Sequence, residues 1–310
     1  MTTRRGRILG ARSILLLATM LISGGLTAEN DDGYVLFFDE YLYGDFYYAP
    51  VGDVDRSEPK QISPRRLRLP WYFSYNYEIG NADVSVQGRT LVFAARRKDE
   101  LDWGVYTGEI DLRRRRIRNV KPLIQNSGVR EEDPKFSWDG RQVVYKCDGN
   151  ICIYPAIVPN PVVESWCELW APSFSATGFA VSYTKRCDGG DSDRIWIYDI
   201  VTRQETPVPN NDGGPDRFAH FLDDGRVVYS HIDPQPWRSS LWVYDSGVTY
   251  LLHDQTGSDD DAYPSKHNRA HIAFIGWEDD GYSLYVYRQS QRDAVRLTRG
   301  IGVLGPMLFE

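Results

Sequence analysis

The chain has 310 residues, 25% of them charged, and its 43 Asp and Glu outnumber 36 Lys and Arg for a formal net charge of −7. That balance excludes a nucleic-acid partner, because phosphate binding needs a clustered excess of Lys and Arg. No segment reaches the roughly 18–20 apolar residues of a membrane-spanning helix, so no transmembrane anchor is expected.

At the N-terminus Arg4, Arg5, Arg7 and Arg12 precede a short apolar run from Ile14 to Ile22, and Leu26-Thr-Ala28 supplies a small-residue cleavage site. Residues 1–28 therefore read as a signal peptide. Its removal takes away four arginines and no acid, which moves the charge from −7 to −11. The mature chain, 29–310, is expected in the periplasm or secreted, as one domain.

Beyond the signal, short runs rich in Val, Ile, Tyr, Phe and Trp alternate with turn residues, and no stretch keeps a helical period. Tyr34 to Phe38 and Phe46 to Tyr48 read as two strands, followed by the aromatic cluster Trp71-Tyr-Phe73-Ser-Tyr75-Asn-Tyr77. Then a unit recurs. Aligned on Phe136, its equivalents are Val84, Phe174, Phe221, Lys266 and Leu308, a period of 38 to 52 residues. Each unit continues into a second strand (Thr90 to Phe93, Gln142 to Tyr145, Phe179 to Tyr183, Arg226 to Tyr229, His271 to Phe274) and a third ending near Tyr (Tyr106, Tyr154, Tyr198, Tyr244, Tyr287). A fourth follows, as in Gln204 to Val208. Asp139-Gly140 and Asp224-Gly225 mark hairpin turns, where glycine tolerates positive φ.

A repeat of this length stacks supersecondary units. The first unit lacks its leading strand, and Gly305 to Glu310 is a leading strand with nothing after it. The sequence thus predicts an all-β, six-bladed β-propeller of four-stranded blades, closed by the C-terminal strand completing blade 1, with no open edge in the ring.

The phrase Pro134-Lys-Phe136-Ser-Trp-Asp139-Gly140, with its following apolar strand and Tyr-Asp ending, resembles the propeller repeats of the TolB-like family over residues 33–310. The likeness is clearest in blades 3 to 5, weaker in blades 2 and 6, and partial in blade 1. The periplasmic protein from which that family takes its name also carries an N-terminal α/β domain that contacts envelope proteins. Here the first strand starts five residues after the expected cleavage site, so a stand-alone propeller is expected.

Four cysteines in an exported chain read as two disulfides. Hairpin loops between second and third strands emerge on the same face as the connections between blades, which favours Cys147–Cys152 and Cys167–Cys187. His and Cys at zinc spacing are absent. On the same face Glu131, Asp216 and Asp261 precede the aligned Pro134, Ala219 and Pro264 by three residues, with Glu78 and Glu168 one place further upstream and Asp133 beside them. Converging carboxylates there would take a cation such as calcium or a Lys/Arg-bearing peptide; alternatively each caps the backbone of its own loop. Asp259-Asp-Asp261 is consecutive and no calcium loop, and no other cofactor is expected. Trp71 and Tyr75 either anchor a partner or plug the blade 1–2 junction. Arg113 to Arg116 and Arg118 guard an outermost strand against edge pairing.

No Gly-x-Ser-x-Gly elbow, His-Glu-x-x-His or phosphate-cradling loop is present. The sequence thus favours a non-catalytic, monomeric binding or scaffold propeller that engages an envelope or secreted protein or peptide through its acidic mouth. The alternative is a polysaccharide-binding or polysaccharide-cleaving site in the channel built on Trp71, Tyr75, His220 and His267.

Overall fold

The computed structural model describes residues 34–309 except 40–45, 51–64, 125–128, 157, 188–192, 211–212, 235–236, 255–256, 267–270, 280 and 299–302. The signal segment 1–28 and His267 lie outside the described residues. Six antiparallel sheets form a six-bladed propeller. Blade 1 joins β23 (Val303–Phe309) to β1 (Tyr34–Asp39), β2 (Phe46–Pro50) and β3 (Arg65–Leu67). Blade 2 is β4 (Tyr77–Val84) to β7 (Arg116–Ile124), and blade 3 is β8 (Glu131–Phe136), β9 (Val143–Cys147) and β10 (Asn150–Tyr154). Blade 4 runs from β11 (Glu168–Phe174) through β12 (Ala180–Arg186) and β13 (Arg194–Asp199) to β14 (Gln204–Pro207). Blade 5 runs from β15 (Asp216–Phe221) through β16 (Val227–Pro234) and β17 (Trp237–Asp245) to β18 (Val248–His253). Blade 6 runs from β19 (Ser258–Pro264) through β20 (His271–Glu278) and β21 (Gly281–Arg288) to β22 (Asp293–Arg296).

Ring closure is as expected: Val35 pairs Leu308 and Leu36 pairs Met307, so the last strand is the inner strand of the first blade. Residues 32–310 form one compact unit. Five blades have four strands. In blade 3 the fourth is reduced to one bridge, Ile151 to Val163. Pro155 and Pro161 have no N–H to give a ladder there, and the Asn160 side chain substitutes: its Oδ1 accepts from Ile153 N at 3.0 Å while its Nδ2 donates to Ile153 O at 2.9 Å.

The core lies between blades, because each pleated sheet buries both faces against its neighbours. Val144, Ile151 and Ile153 of blade 3 pack on Phe174, Val181 and Tyr183 of blade 4. Ile195 and Val208 of blade 4 meet Phe221, Val227 and Tyr229 of blade 5. The largest cluster joins blades 6, 1 and 2, including Leu284, Met307, Leu36, Phe46 and Phe93. Each such side chain contributes about 1.5–3 kcal/mol on burial, so the non-covalent closure has an apolar core of its own.

Inner strands carry a bulge at the same place in blades 3 to 6, with a left-handed residue each time: Asp133 (φ +50°), Ala171 (+49°), Phe218 (+54°) and Asp261 (+50°). The bulges also fix the register of blade 6. Pro264 pairs Ile272 as Phe136 pairs Val143, so Pro264, and not Lys266, stands at the Phe136 position.

Candidate functional site

With four alternating strands per blade, here A to D from inside out, B–C hairpins and D–A connections emerge at one end of the ring. Both disulfides stand at this end. Cys147–Cys152 staples the β9–β10 hairpin, and Cys167–Cys187 ties the blade 3–4 connection to the end of β12. These are the two pairs favoured from the sequence.

The acids of this face do not converge on an open mouth. Glu131 and Asp216, at the starts of β8 and β15, are each 1% exposed. Asp216 accepts from His231 Nδ1 at 2.7 Å and from Asn210 Nδ2 at 2.6 Å. The corrected register puts Asp259, not Asp261, at their position in blade 6, and it is fully buried against His253 Nδ1 at 2.8 Å. Asp261 and Asp133 instead occupy the bulges. Asp133 bridges three blades, taking a hydrogen bond from Asn81 Nδ2 of β4 and one from Ala171 N of β11 at 3.1 Å. Glu78 and Glu168 remain half-exposed, yet each holds a cation, Arg96 at 2.7 Å and Lys146 at 2.7 Å. The Lys146 hydrogen bond keeps the Glu168 carboxyl below its usual range. Asp193 is flanked by Arg186 and Arg217 at 2.5 Å each; burial works to raise its pKa, and the two guanidinium groups outweigh it. Glu78, Glu168, Asp193, Asp216 and Asp259 thus each meet an arginine, lysine or histidine side chain. Among the described residues no group of three or more His, Cys, Asp or Glu side chains is placed to hold a metal ion.

Deeper in the channel lies a cluster of which the sequence singled out His220 alone. One residue before the Phe136 position in blades 2 to 6, the inner strands present Asp83, Lys135, Ser173, His220 and Tyr263. Asp83 is fully buried and accepts from Tyr263 OH, from Lys266 Nζ at 2.7 Å and from Phe136 N at 2.6 Å. Lys266 also donates to Phe136 O at 3.2 Å, and Lys135 donates to Ala82 O at 3.1 Å while lying 5.4 Å from the Tyr263 ring centre. The His220 ring sits 5.1 Å from that of Tyr263. Burial pulls the His220 pKa well down, and the nearby charges of Lys135 and Lys266 pull it further. Burial likewise lowers Lys266, opposed by Asp83, and raises Tyr263. Side chains fill the channel at this level, and His220, 5% exposed, is enclosed by protein.

The aromatic cluster divides in two. Residues Trp71–Asn76 form the short helix α1, opened by Phe73 N and Ser74 N donating to Pro70 O and closed by Asn76 Nδ2 donating to Tyr72 O at 2.8 Å. Phe73 plugs the junction, stacked on Tyr77 at 4.1 Å and edge-on to Phe93 and Tyr106. Trp71 and Tyr75, four residues apart and so on one helix face, are 81% and 75% exposed. Trp166, in the blade 3–4 connection beside Cys167, is 79% exposed and was not singled out from the sequence. Leu101, Trp277 and Tyr282 add to this end of the ring. Among described residues, the opposite end exposes Phe179, Val201 and Val248 but no tryptophan.

No family model and no curated protein matches the sequence. The fold matches solved propellers. TolB from Acinetobacter baumannii is 15% identical, with a TM-score of 0.64 over 92% of this chain and 69% of that one. A chain from a nidogen–laminin complex is 8% identical, with a TM-score of 0.62 over 89% and 97%. Oligogalacturonate lyase from Vibrio parahaemolyticus is 11% identical, with a TM-score of 0.52 over 86% and 72%. The chain is a TolB-like propeller in fold; at these identities the likeness carries no further.

Proposed function

We propose that this protein is an exported, non-catalytic binding propeller that docks a protein partner on the face carrying its D–A connections, through Trp71, Tyr75 and Trp166. One observation carries the reading: three large aromatic side chains stand more than 70% exposed on the same end of the ring. Burying such rings against water is favourable, and Trp and Tyr dominate protein interfaces for that reason. The two disulfides fit an oxidising compartment, and a complex of nidogen with laminin is one setting in which such a propeller fold occurs.

The test is a pull-down of the tagged mature protein from its own envelope fraction, beside a Trp71→Ala/Tyr75→Ala/Trp166→Ala variant of matched thermal stability. A protein recovered with wild type and lost with the variant supports the proposal. Equal recovery with both, or binding of glycans in place of any protein, refutes it.

A further inference from the structure

A second surface lies on the rim of the ring, away from the aromatic face. In a propeller the fourth strand of every blade is an edge strand with unpaired backbone groups, and proteins blunt such edges with charge, proline, shortness or cover. Five blades do so. β3 is three residues with two arginines, and β7 carries Arg116, Arg118, Lys121 and Pro122. β14 is four residues ending in Pro207, and β22 is four residues with a charge at each end. β10 is covered by the bridge to Val163.

Blade 5 does not. Its outer strand β18, Val-Thr-Tyr-Leu-Leu-His over Val248–His253, has six residues, no proline and no Asp, Glu, Lys or Arg. Among the described residues it pairs only with β17, on its inner side. Val248 is 65% exposed, Leu251 50% and Tyr250 38%.

Alongside this edge a cleft of about 500 Å³ opens between blades 5 and 6, lined by Arg226, Tyr250, Leu251, Tyr287, Gln289 and Arg292 among others. The cleft is basic in a chain whose net charge is −7. Arg226 is held in place by Asp224 at 2.7 Å and by donation to the Tyr250 hydroxyl at 2.9 Å. Arg292 is exposed on the β21–β22 turn at φ +55°. Burial raises the pKa of the Tyr287 phenol; the Arg292 charge opposes that rise and the neighbouring Asp293 adds to it. Two carboxylates border the cleft and both are engaged, Asp224 by Arg226 and Asp293 by Arg288.

We infer that β18 and this cleft form a docking site for an extended peptide segment bearing acidic side chains, which adds to blade 5 as a fifth strand. Main-chain hydrogen bonds to β18 supply sequence-independent affinity, as in other strand additions. Because side chains alternate along a strand, every second residue of the added segment faces one side of the blade. An acid at those places meets Arg292 and Arg226 on the face of Val248 and Tyr250, while its apolar neighbours lie over Leu251 on the other face of the blade. This site is independent of the one proposed on the aromatic face.

The experiment measures, by fluorescence anisotropy at low salt, binding of a labelled octapeptide of alternating glutamate and valine to the mature protein. Three controls run beside it: alternating lysine and valine, the acidic peptide N-methylated at every second amide, and the Arg292→Gly protein. Glycine suits the φ of +55° at position 292, so that variant keeps its fold. Expected are saturable binding of the acidic peptide, at least about tenfold weaker binding after N-methylation or in Arg292→Gly, and none for the basic peptide. Unchanged binding in the Trp71→Ala/Tyr75→Ala protein is also expected, which separates this site from the other. Equal binding of acidic and basic peptides, indifference to N-methylation, or no binding at millimolar peptide overturns the inference. So does a concentration-dependent dimer abolished by Leu251→Lys, since β18 would then serve a second copy of this chain.

Discussion

The channel interior and the face around its mouth use their aromatic side chains to opposite ends. Inside, Asp83, Tyr263, Lys266, Lys135 and His220 come from blades 2, 3, 5 and 6 and are packed on one another. At the mouth, Trp71, Tyr75 and Trp166 touch little and face solvent. The interior groups hold the ring together across its centre. The face groups carry no comparable structural duty, and so are free to serve a partner.

The largest effect that would sharpen this contrast is Asp83→Ala. It leaves Lys266 buried without its counter-charge and Tyr263 without its acceptor. Removing one partner of a buried pair costs about 3–5 kcal/mol, so the urea midpoint should fall sharply with the m-value unchanged. A loss below about 1 kcal/mol would mean the cluster is not a structural centre.

Next comes Cys167→Ser/Cys187→Ser. The disulfide closes a loop with a sequence separation of 20, against 5 for Cys147–Cys152. On a chain-entropy argument the longer loop is worth about 3 kcal/mol and the shorter about 2 kcal/mol. Thermal melts of the two double variants should therefore rank in that order. The reverse ranking would show that the Trp166 connection is held by its packing and not by its cross-link.

His220 gives a pH signature to the interior alone. Its folded-state pKa lies below its ordinary value, so beneath about pH 6.5 the unfolded chain binds a proton that the folded chain does not. That group's stability contribution is present above pH 6.5 and is lost as pH falls, by about 1.4 kcal/mol per unit. The stability difference between wild type and His220→Phe should change with this slope between pH 6.5 and 5. A flat difference would place a proton on His220 in the folded state.

The repeat made the fold legible because strand alternation, hairpin glycines and the two orphan end strands all express backbone geometry. Two things escaped it. Pro264-Ser-Lys266 imitates Pro134-Lys-Phe136, so blade 6 was read two residues out of register. A two-residue slip leaves every side chain on its proper face, so an alternating pattern cannot detect it; only the bulge and the turn can. The acid positions were found, but not their fate. Burial of Asp216 and Asp259 depends on histidines 15 and 6 residues away, and Asp83 meets Lys266 across 183 residues. The last is a product of ring closure; the two histidine pairs depend on which strand ends meet, which the alternating pattern does not show. In α1 the same four-residue spacing that exposes Trp71 and Tyr75 turns Phe73 inward, a division visible only once a helix is known to form there.

The smallest expected effect bears hardest on the contrast. Trp71→Ala/Tyr75→Ala removes two large rings, a change that in a core would cost about 3–5 kcal/mol for each. Here both rings already lie in water, and the Phe73 plug beneath them keeps its stack on Tyr77. Truncation therefore forfeits almost no burial, and alanine's better helix propensity offsets part of what remains. The change in unfolding free energy should lie within about 0.5 kcal/mol of zero. If the double variant instead loses 2 kcal/mol or more in a urea melt, the rings pack against the protein in solution, and the face has no free anchors to offer.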